Sequence, residues 1–296
     1  KDAFSITSND GNVTFKVSPD FENPTDSDKD NVYEIKITVY DANGSSDSQD
    51  VNVTVVNVNE KPTFDFPEGN STRSFSVPEN QTAVIDVNAS DVDAGSTLTY
   101  SLDNSGADLA LFEINATTGV VSFLVPPDFE NPSDQDSDNV YEVRVNVWDG
   151  SLYNLLSLNI TVTDVNDAPL FISGGSPEYA RSFFSGEFNS SVLSTFSATE
   201  RDANQSLSYS LVGGEDQSKF SINAANGDLS FNSAGGFLTD FENPADLDFN
   251  NTYEVIVRAT DDGSSPLSVD MNVTVIVTDR NDAPVIVPDV NQNWSD

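Results

Sequence analysis

DFENPSDQDSDNVYEVRVNVWD, residues Asp128 to Asp149, decides how this chain is read. In its second half Tyr141, Val143, Val145 and Val147 alternate with Glu142, Arg144 and Asn146. Apolar residues at every second position put one face of a strand in a core and the other in water. The first half lacks that period. Its one aromatic, Phe129, is followed by Asn-Pro, where proline's fixed φ and missing N–H mark a turn. The stretch recurs as DFENPTDSDKDNVYEIKITVYD from Asp20 to Asp41 and as DFENPADLDFNNTYEVIVRATD from Asp240 to Asp261. Spacings of 108 and then 112 residues make it the marker of a long-period repeat.

Further columns keep the same order around it. VVNVNEKP (Val55 to Pro62), VTDVNDAP (Val162 to Pro169) and VTDRNDAP (Val277 to Pro284) follow each copy. FSITSNDGNVTF, FEINATTGVVSF and FSINAANGDLSF precede them, beginning at Phe4, Phe112 and Phe220. LTYSL (from Leu98) matches LSYSL (from Leu207), and their counterpart would lie before Lys1, so the chain is read as starting inside a repeat. The expected organisation is the C-terminal part of a repeat at 1–62 and complete repeats at 63–169 and 170–284. A further repeat or a tail begins at 285–296. SLNITVT (from Ser157) and DMNVTVIVT (from Asp270) also alternate, and no stretch has helical period. Turn residues such as Gly119 separate the short strands. An all-β chain of tandem Greek-key β-sandwiches is expected, immunoglobulin-like in layout and joined end to end in an extended rod. Pro62, Pro169 and Pro284 mark the linker-to-strand junctions.

Composition narrows the function. The 49 acidic and 12 basic residues give a net charge of −37, which argues against nucleic acid and anionic membrane as partners. The chain has no Cys and no His, which excludes zinc sites of the usual ligand type, thiol catalysis and imidazole triads. No apolar run is long enough for direct membrane insertion.

The acidic columns that fall at strand ends are the candidate site. Around the second linker they are Glu79, Asp128, Glu130, Asp164, Asn166, Asp167, Asp202 and Asp261. If the ends of successive sandwiches meet there, these oxygens share a small volume and repel unless a cation joins them. Calcium suits such a set, taking roughly six to eight oxygens from carboxylates, Asn side chains and carbonyls; magnesium demands a smaller octahedral shell.

These columns resemble the cadherin repeat. The resemblance rests on Pro78-Glu79-Asn80, Asp128-x-Glu130, Asp164-Val165-Asn166-Asp167-Ala168-Pro169, Asp91-Val92-Asp93 and the late acids Asp41, Asp149 and Asp261. It implies calcium ions at each junction and extends the ligand set in both directions. At the first junction the set is Asp20, Glu22, Asn57, Asn59, Glu60, Asp91, Asp93 and Asp149. At the third it is Glu187, Asp240, Glu242, Asp279, Asn281 and Asp282. Three departures stand out. Asn57-Val58-Asn59-Glu60-Lys61-Pro62 loses a carboxylate and gains a lysine, which implies weaker or fewer ions there. Glu200-Arg201-Asp202 replaces Asp-x-Asp, and Gly186-Glu187-Phe188 replaces Pro-Glu-Asn. The DFENP form resembles that of large bacterial surface proteins with cadherin-like repeats, which implies a secreted or cell-surface location.

Other features divide between two readings. In DFENP the Phe residues (Phe21, Phe129, Phe241) are expected to anchor in the core while the acids face the linker. The DxDxD run after it (Asp26-x-Asp28-x-Asp30, Asp134-x-Asp136-x-Asp138, Asp246-x-Asp248-x-Asn250) begins like an EF-hand loop but lacks the Gly and Glu that complete one. It either holds an additional ion or is a solvated loop. Trp148 is expected in core or edge packing rather than stacked on a sugar. Paired carboxylates can hydrolyse glycosides, but acids that recur in every repeat are not a singular active site, so no catalytic and no organic-cofactor residues are expected. The expected function is a calcium-binding extracellular adhesion or scaffold module with homophilic or heterophilic cell-surface protein or glycan partners. The alternative is carbohydrate recognition by the repeats themselves.

Overall fold

The computed structural model describes residues 3–66, 71–173, 176–232 and 239–284. The segment 285–296, with Trp294, lies outside them. The chain divides into two compact units, Lys1–Thr163 and Asp164–Asp296.

In the first unit the quoted stretch forms the strand Val140–Trp148, paired antiparallel with Tyr153–Thr163 and Thr99–Asp103. Thr72–Pro78 adds to the other side of Tyr153–Thr163 in parallel, giving a four-stranded sheet. A second sheet of Phe112–Ile114, Val120–Phe123 and Ala83–Asp86 closes the sandwich. Thr63–Phe64 begins directly after Pro62 and pairs with Ala89–Ser90. Ahead of these lie two hairpins, Phe4–Ile6 with Val13–Phe15 and Val32–Tyr40 with Ser46–Thr54.

The second unit repeats the plan. Ala180–Gly186, Ser268–Thr278, Thr252–Thr260 and Ser208–Gly213 form the four-stranded sheet, again with one parallel pair. Val192–Thr195, Asp228–Phe231 and Phe220–Ile222 form the three-stranded one. Among the described residues the regular structure is strands apart from two single 3₁₀ turns, Leu109–Leu111 and Gln217–Lys219. This is the all-β sandwich repeat expected from period-two alternation.

The alternation sorts residues as read. Tyr141, Val143, Val145 and Val147 are buried, and they pack with Leu156, Leu158 and Ile160 from the neighbouring strand. Trp148 continues the outward series of Glu142, Arg144 and Asn146, so it leaves the core. It is 46% exposed, opposite a Tyr153 that is 60% exposed.

One aromatic trio recurs in every copy. Phe112 and Phe123 lie 4.5 Å apart and Tyr141 meets Phe123 edge-on at 5.2 Å and 84°. Phe4, Phe15 and Tyr33, and Phe220, Phe231 and Tyr253, repeat the arrangement. Edge-to-face rings add to the area they bury. Each tyrosine hydroxyl also accepts the N–H of the residue that follows DFENP, from Thr25, Ser133 and Ala245, at 3.1, 3.2 and 3.1 Å. Core packing therefore fixes where DFENP sits. Phe129 and Phe241 lie partly buried against their cores, as expected of anchors.

Gly119 turns the hairpin at φ +75°, where a Cβ would meet the Val87 carbonyl oxygen at 2.2 Å. Only glycine fits. Phe249 shows the opposite case. It holds φ +61° while 73% exposed, at the loop position of Lys29 and Ser137. A bulky residue there is strained with little packing in return. Phe249→Asn is expected to raise stability by about 0.5–1 kcal/mol in chemical denaturation; a loss would show that the ring contributes unrecognised packing.

Candidate metal centres

Residues of the first set converge within the unit Lys1–Thr163. Carboxylate oxygens of Glu22, Glu60 and Asp93 all lie within 4.8 Å of one another. Glu22 is held by DFENP, whose Asp20 Oδ1 accepts the N–H groups of Glu22 and Asn23, both at 3.1 Å. Asp93 is 9% exposed and fastened on both oxygens, to Asn57 Nδ2 at 2.8 Å and to the Glu60 N–H at 2.9 Å. Asn59 Nδ2 donates to Asp149 Oδ2 at 2.9 Å. Asp91 Oδ1 accepts the Asp93 N–H at 2.8 Å, while its Oδ2 is buried with no hydrogen-bond partner.

The charges feel one another. The Glu60 carboxyl is held above its ordinary range, first by loss of water and then by the charges of Glu22, Asp93, Asp20 and Asp91. Asp149 is held below its range, chiefly by the Leu152 N–H, with Asn59 and Ser151 adding. The set is therefore oxygen-only, with crowded negative charge and an orphaned carboxylate oxygen on Asp91. Those are the donors of a hard cation site, and the residues fit calcium.

The second set divides between the two units. In the first, Glu79, Asp128 and Glu130 bring carboxylate oxygens within 4.8 Å of one another. Glu79 is 3% exposed, and its Oε2 accepts the Phe129 N–H at 2.8 Å. In the second unit, Asn166 Nδ2 donates to Asp261 Oδ2 at 3.2 Å and the Asp167 N–H to Asp202 Oδ2 at 2.8 Å. Asp202 and Asp261 are both buried. Arg201 forms an ion pair with Asp167 at 3.2 Å, so the cation expected among the ligands is there.

Glu200, the longer acid of the departure from Asp-x-Asp and not counted in the expected ligand set, takes the part of Asp91. Its Oε1 accepts the Asp202 N–H at 3.2 Å, and its Oε2 is buried without a partner. Loss of water raises its carboxyl first, with Asp202 and Asp261 adding. The signal was present: ATERD (from Ala198) aligns with ASDVD (from Ala89), and one extra methylene does not remove a carboxylate.

The third set gathers as well. Glu187 is 3% exposed and joins the Phe241 N–H at 2.9 Å to the Arg280 N–H at 3.0 Å. Glu187 thus holds Phe241 as Glu79 holds Phe129, despite the altered neighbours. Asp240 Oδ1 accepts the N–H groups of Glu242 and Asn243 at 3.1 Å. Glu242 is raised by loss of water, then by Glu187, Asp279 and Asp282. Asn281 turns instead to the Asp282 carbonyl at 3.4 Å.

Fold and site define a class of proteins: tandem β-sandwich repeats with acidic ends. Residues 185–278 match the Cadherin domain family. Human protocadherin gamma-C3 is 31% identical over 299 residues, covering 93% of this chain and 29% of that protein. Mouse protocadherin Fat 4 is 31% identical over 242 residues, covering 77% of this chain and 4% of that protein. The chain thus spans under a third of either relative's length. The crystal structure of human CDH23 EC21-23 matches at a TM-score of 0.54 and 23% identity, covering 93% of this chain and 81% of that one, and at that identity it shows the fold alone. The chain is a cadherin-like tandem repeat.

Proposed function

We propose that this chain is a calcium-binding extracellular adhesion or scaffold module whose repeats, 1–62, 63–169 and 170–284, hold calcium at their junctions. The single observation that carries the reading is the meeting of Glu22, Glu60 and Asp93. They belong to a DFENP copy, a linker and the following repeat, yet their oxygens share a volume 4.8 Å across. Calcium there would neutralise the carboxylates and join the end of one repeat to the start of the next. The matching sets around Glu79 and Glu187 support the same role at the other junctions.

The partners would be other cell-surface proteins, bound homophilically or heterophilically, as befits relatives named protocadherins. Those names lend the carbohydrate alternative no support. No helix among the described residues is long and apolar enough to cross a membrane. The DFENP form and the absence of Cys agree with a bacterial surface source. No catalytic role is assigned to these acids.

Calcium titration followed by calorimetry tests the reading. Glu22→Gln with Glu60→Gln is expected to weaken one class of site by tenfold or more, because two of its anionic ligands become neutral. Identical isotherms for this variant and the parent would overturn the junction site. The exchange is isosteric and both side chains are exposed, so folding is preserved.

A further inference from the structure

The loop after each DFENP has a construction that junction binding leaves unexplained. In the second copy, Asp134 Oδ2 accepts the Asp138 N–H at 2.8 Å and Asp138 Oδ1 accepts the Val140 N–H at 2.8 Å. Asn139 Nδ2 donates to the Phe129 carbonyl at 2.9 Å. Two acceptors are left over, Asp134 Oδ1 and Asn139 Oδ1, both buried and without a hydrogen-bond partner. The first copy leaves Asp26 Oδ1 and Asn31 Oδ1 in the same state, and the third leaves Asp246 Oδ1 and Asn251 Oδ1.

Asp134 is 4% exposed, Asp246 2% and Asn31 9%, while Asp26, Asn139 and Asn251 are half-buried with these oxygens covered. Asp134 faces further acid: oxygens of Asp134, Asp136 and Asp138 lie within 4.8 Å of one another, as do those of Asp26, Asp28 and Asp30. A carboxylate oxygen and an amide oxygen can only accept. A buried carboxylate oxygen without a donor is costly unless its charge is neutralised or matched by a cation. In loops two and three the residue beside the cluster is Ser137 or Phe249, which brings no charge.

We propose that each of these loops is a calcium site internal to its repeat and separate from the junction sites. The first Asp and the Asn supply the buried oxygens, Asp134 and Asn139 in the second copy, and the exposed acids complete the shell. Asp-x-Asp-x-Asp spacing puts three carboxylates on one tight turn, the arrangement with which calcium loops open. The last Asp of the triplet is Asn250 in the third copy, and its Nδ2 donates to Asp248 Oδ2 at 2.6 Å. That loop has one carboxylate fewer and binds more weakly than the loop at Asp134.

Equilibrium dialysis against calcium tests this on the whole chain. Asp136→Asn with Asp248→Asn touches only exposed loop acids, so the fold is kept; circular dichroism confirms it. The variant is expected to bind two fewer ions than the parent at calcium levels that saturate the parent, or to bind them at least tenfold more weakly. Glu22→Gln with Glu60→Gln should leave that pair of ions in place, and combining the two changes should lose the ions of both variants while the loop at Asp26 and the sets around Glu79 and Glu187 keep theirs. Unchanged stoichiometry and affinity in the loop variant overturns the proposal and leaves the junction reading standing. Loss in the loop variant with none in the junction variant does the reverse.

Discussion

Tyr253→Ala is expected to cost about 3–5 kcal/mol, a third or more of the stability of an ordinary domain. The side chain is fully buried and closes the core at the point where both sheets meet. Its ring lies 5.4 Å from Phe231 and 6.3 Å from Phe220, both near edge-on. Removing it opens a cavity that rigid strands on either side cannot collapse to fill. It also strips the Ala245 N–H of its acceptor at 3.1 Å, which frees the turn after DFENP. Chemical denaturation of the chain and of Tyr253→Phe separates the two effects. The Phe variant keeps the packing and is expected to lose about 1 kcal/mol, the value of one hydrogen bond. Similar small losses from both variants would show that the trio is not the keystone of its sandwich.

Calcium removal, with the proposed sites filled, is expected to be the second large effect. An ion held at a free concentration a hundred times its Kd adds about 2.7 kcal/mol to the folded state, so several sites together rival the rest of the fold. A chelator withdraws that contribution and leaves the carboxylates of Glu79, Asp128 and Glu130 facing one another within 4.8 Å. Two like charges about 4 Å apart repel by about 4 kcal/mol at an effective dielectric of 20. Chelation is therefore expected to lower the melting temperature and to loosen the junctions before the sandwiches unfold. Scanning calorimetry reads the first effect and small-angle scattering the second. A melting curve and scattering profile indifferent to chelator would remove the ions from the account.

Strands and core were legible because alternation is written residue by residue. Tyr141 to Val147 could point only one way once one of them was buried. Trp148 obeyed the same rule, which puts it outward opposite Tyr153 rather than in the core or edge packing expected of it. The ligand columns were legible as repeats, since a carboxylate at a strand end recurs with the strand. Pairings across distant segments were less legible. That Asp93 is fastened by both Asn57 and Glu60 depends on how a linker crosses a sandwich end, and no local pattern encodes that crossing. Dual roles were hidden too. Asp20 and Asp240 each spend one oxygen on their own turn, so the same residue is both turn-former and candidate ligand. Glu200 was passed over because a departure from Asp-x-Asp hid a side chain that reaches the same N–H.

The parallel pairing of Thr72–Pro78 with Tyr153–Thr163 has a mechanical consequence. Tension entering a repeat at its start and leaving at its end pulls these two neighbours in opposite directions along their own axes. The hydrogen bonds between them then lie across the pull and must break together, as in a lap joint, rather than one after another as in a zipper. Ala180–Gly186 beside Ser268–Thr278 repeats the joint. A chain built this way resists being stretched well beyond what its thermal stability alone would suggest.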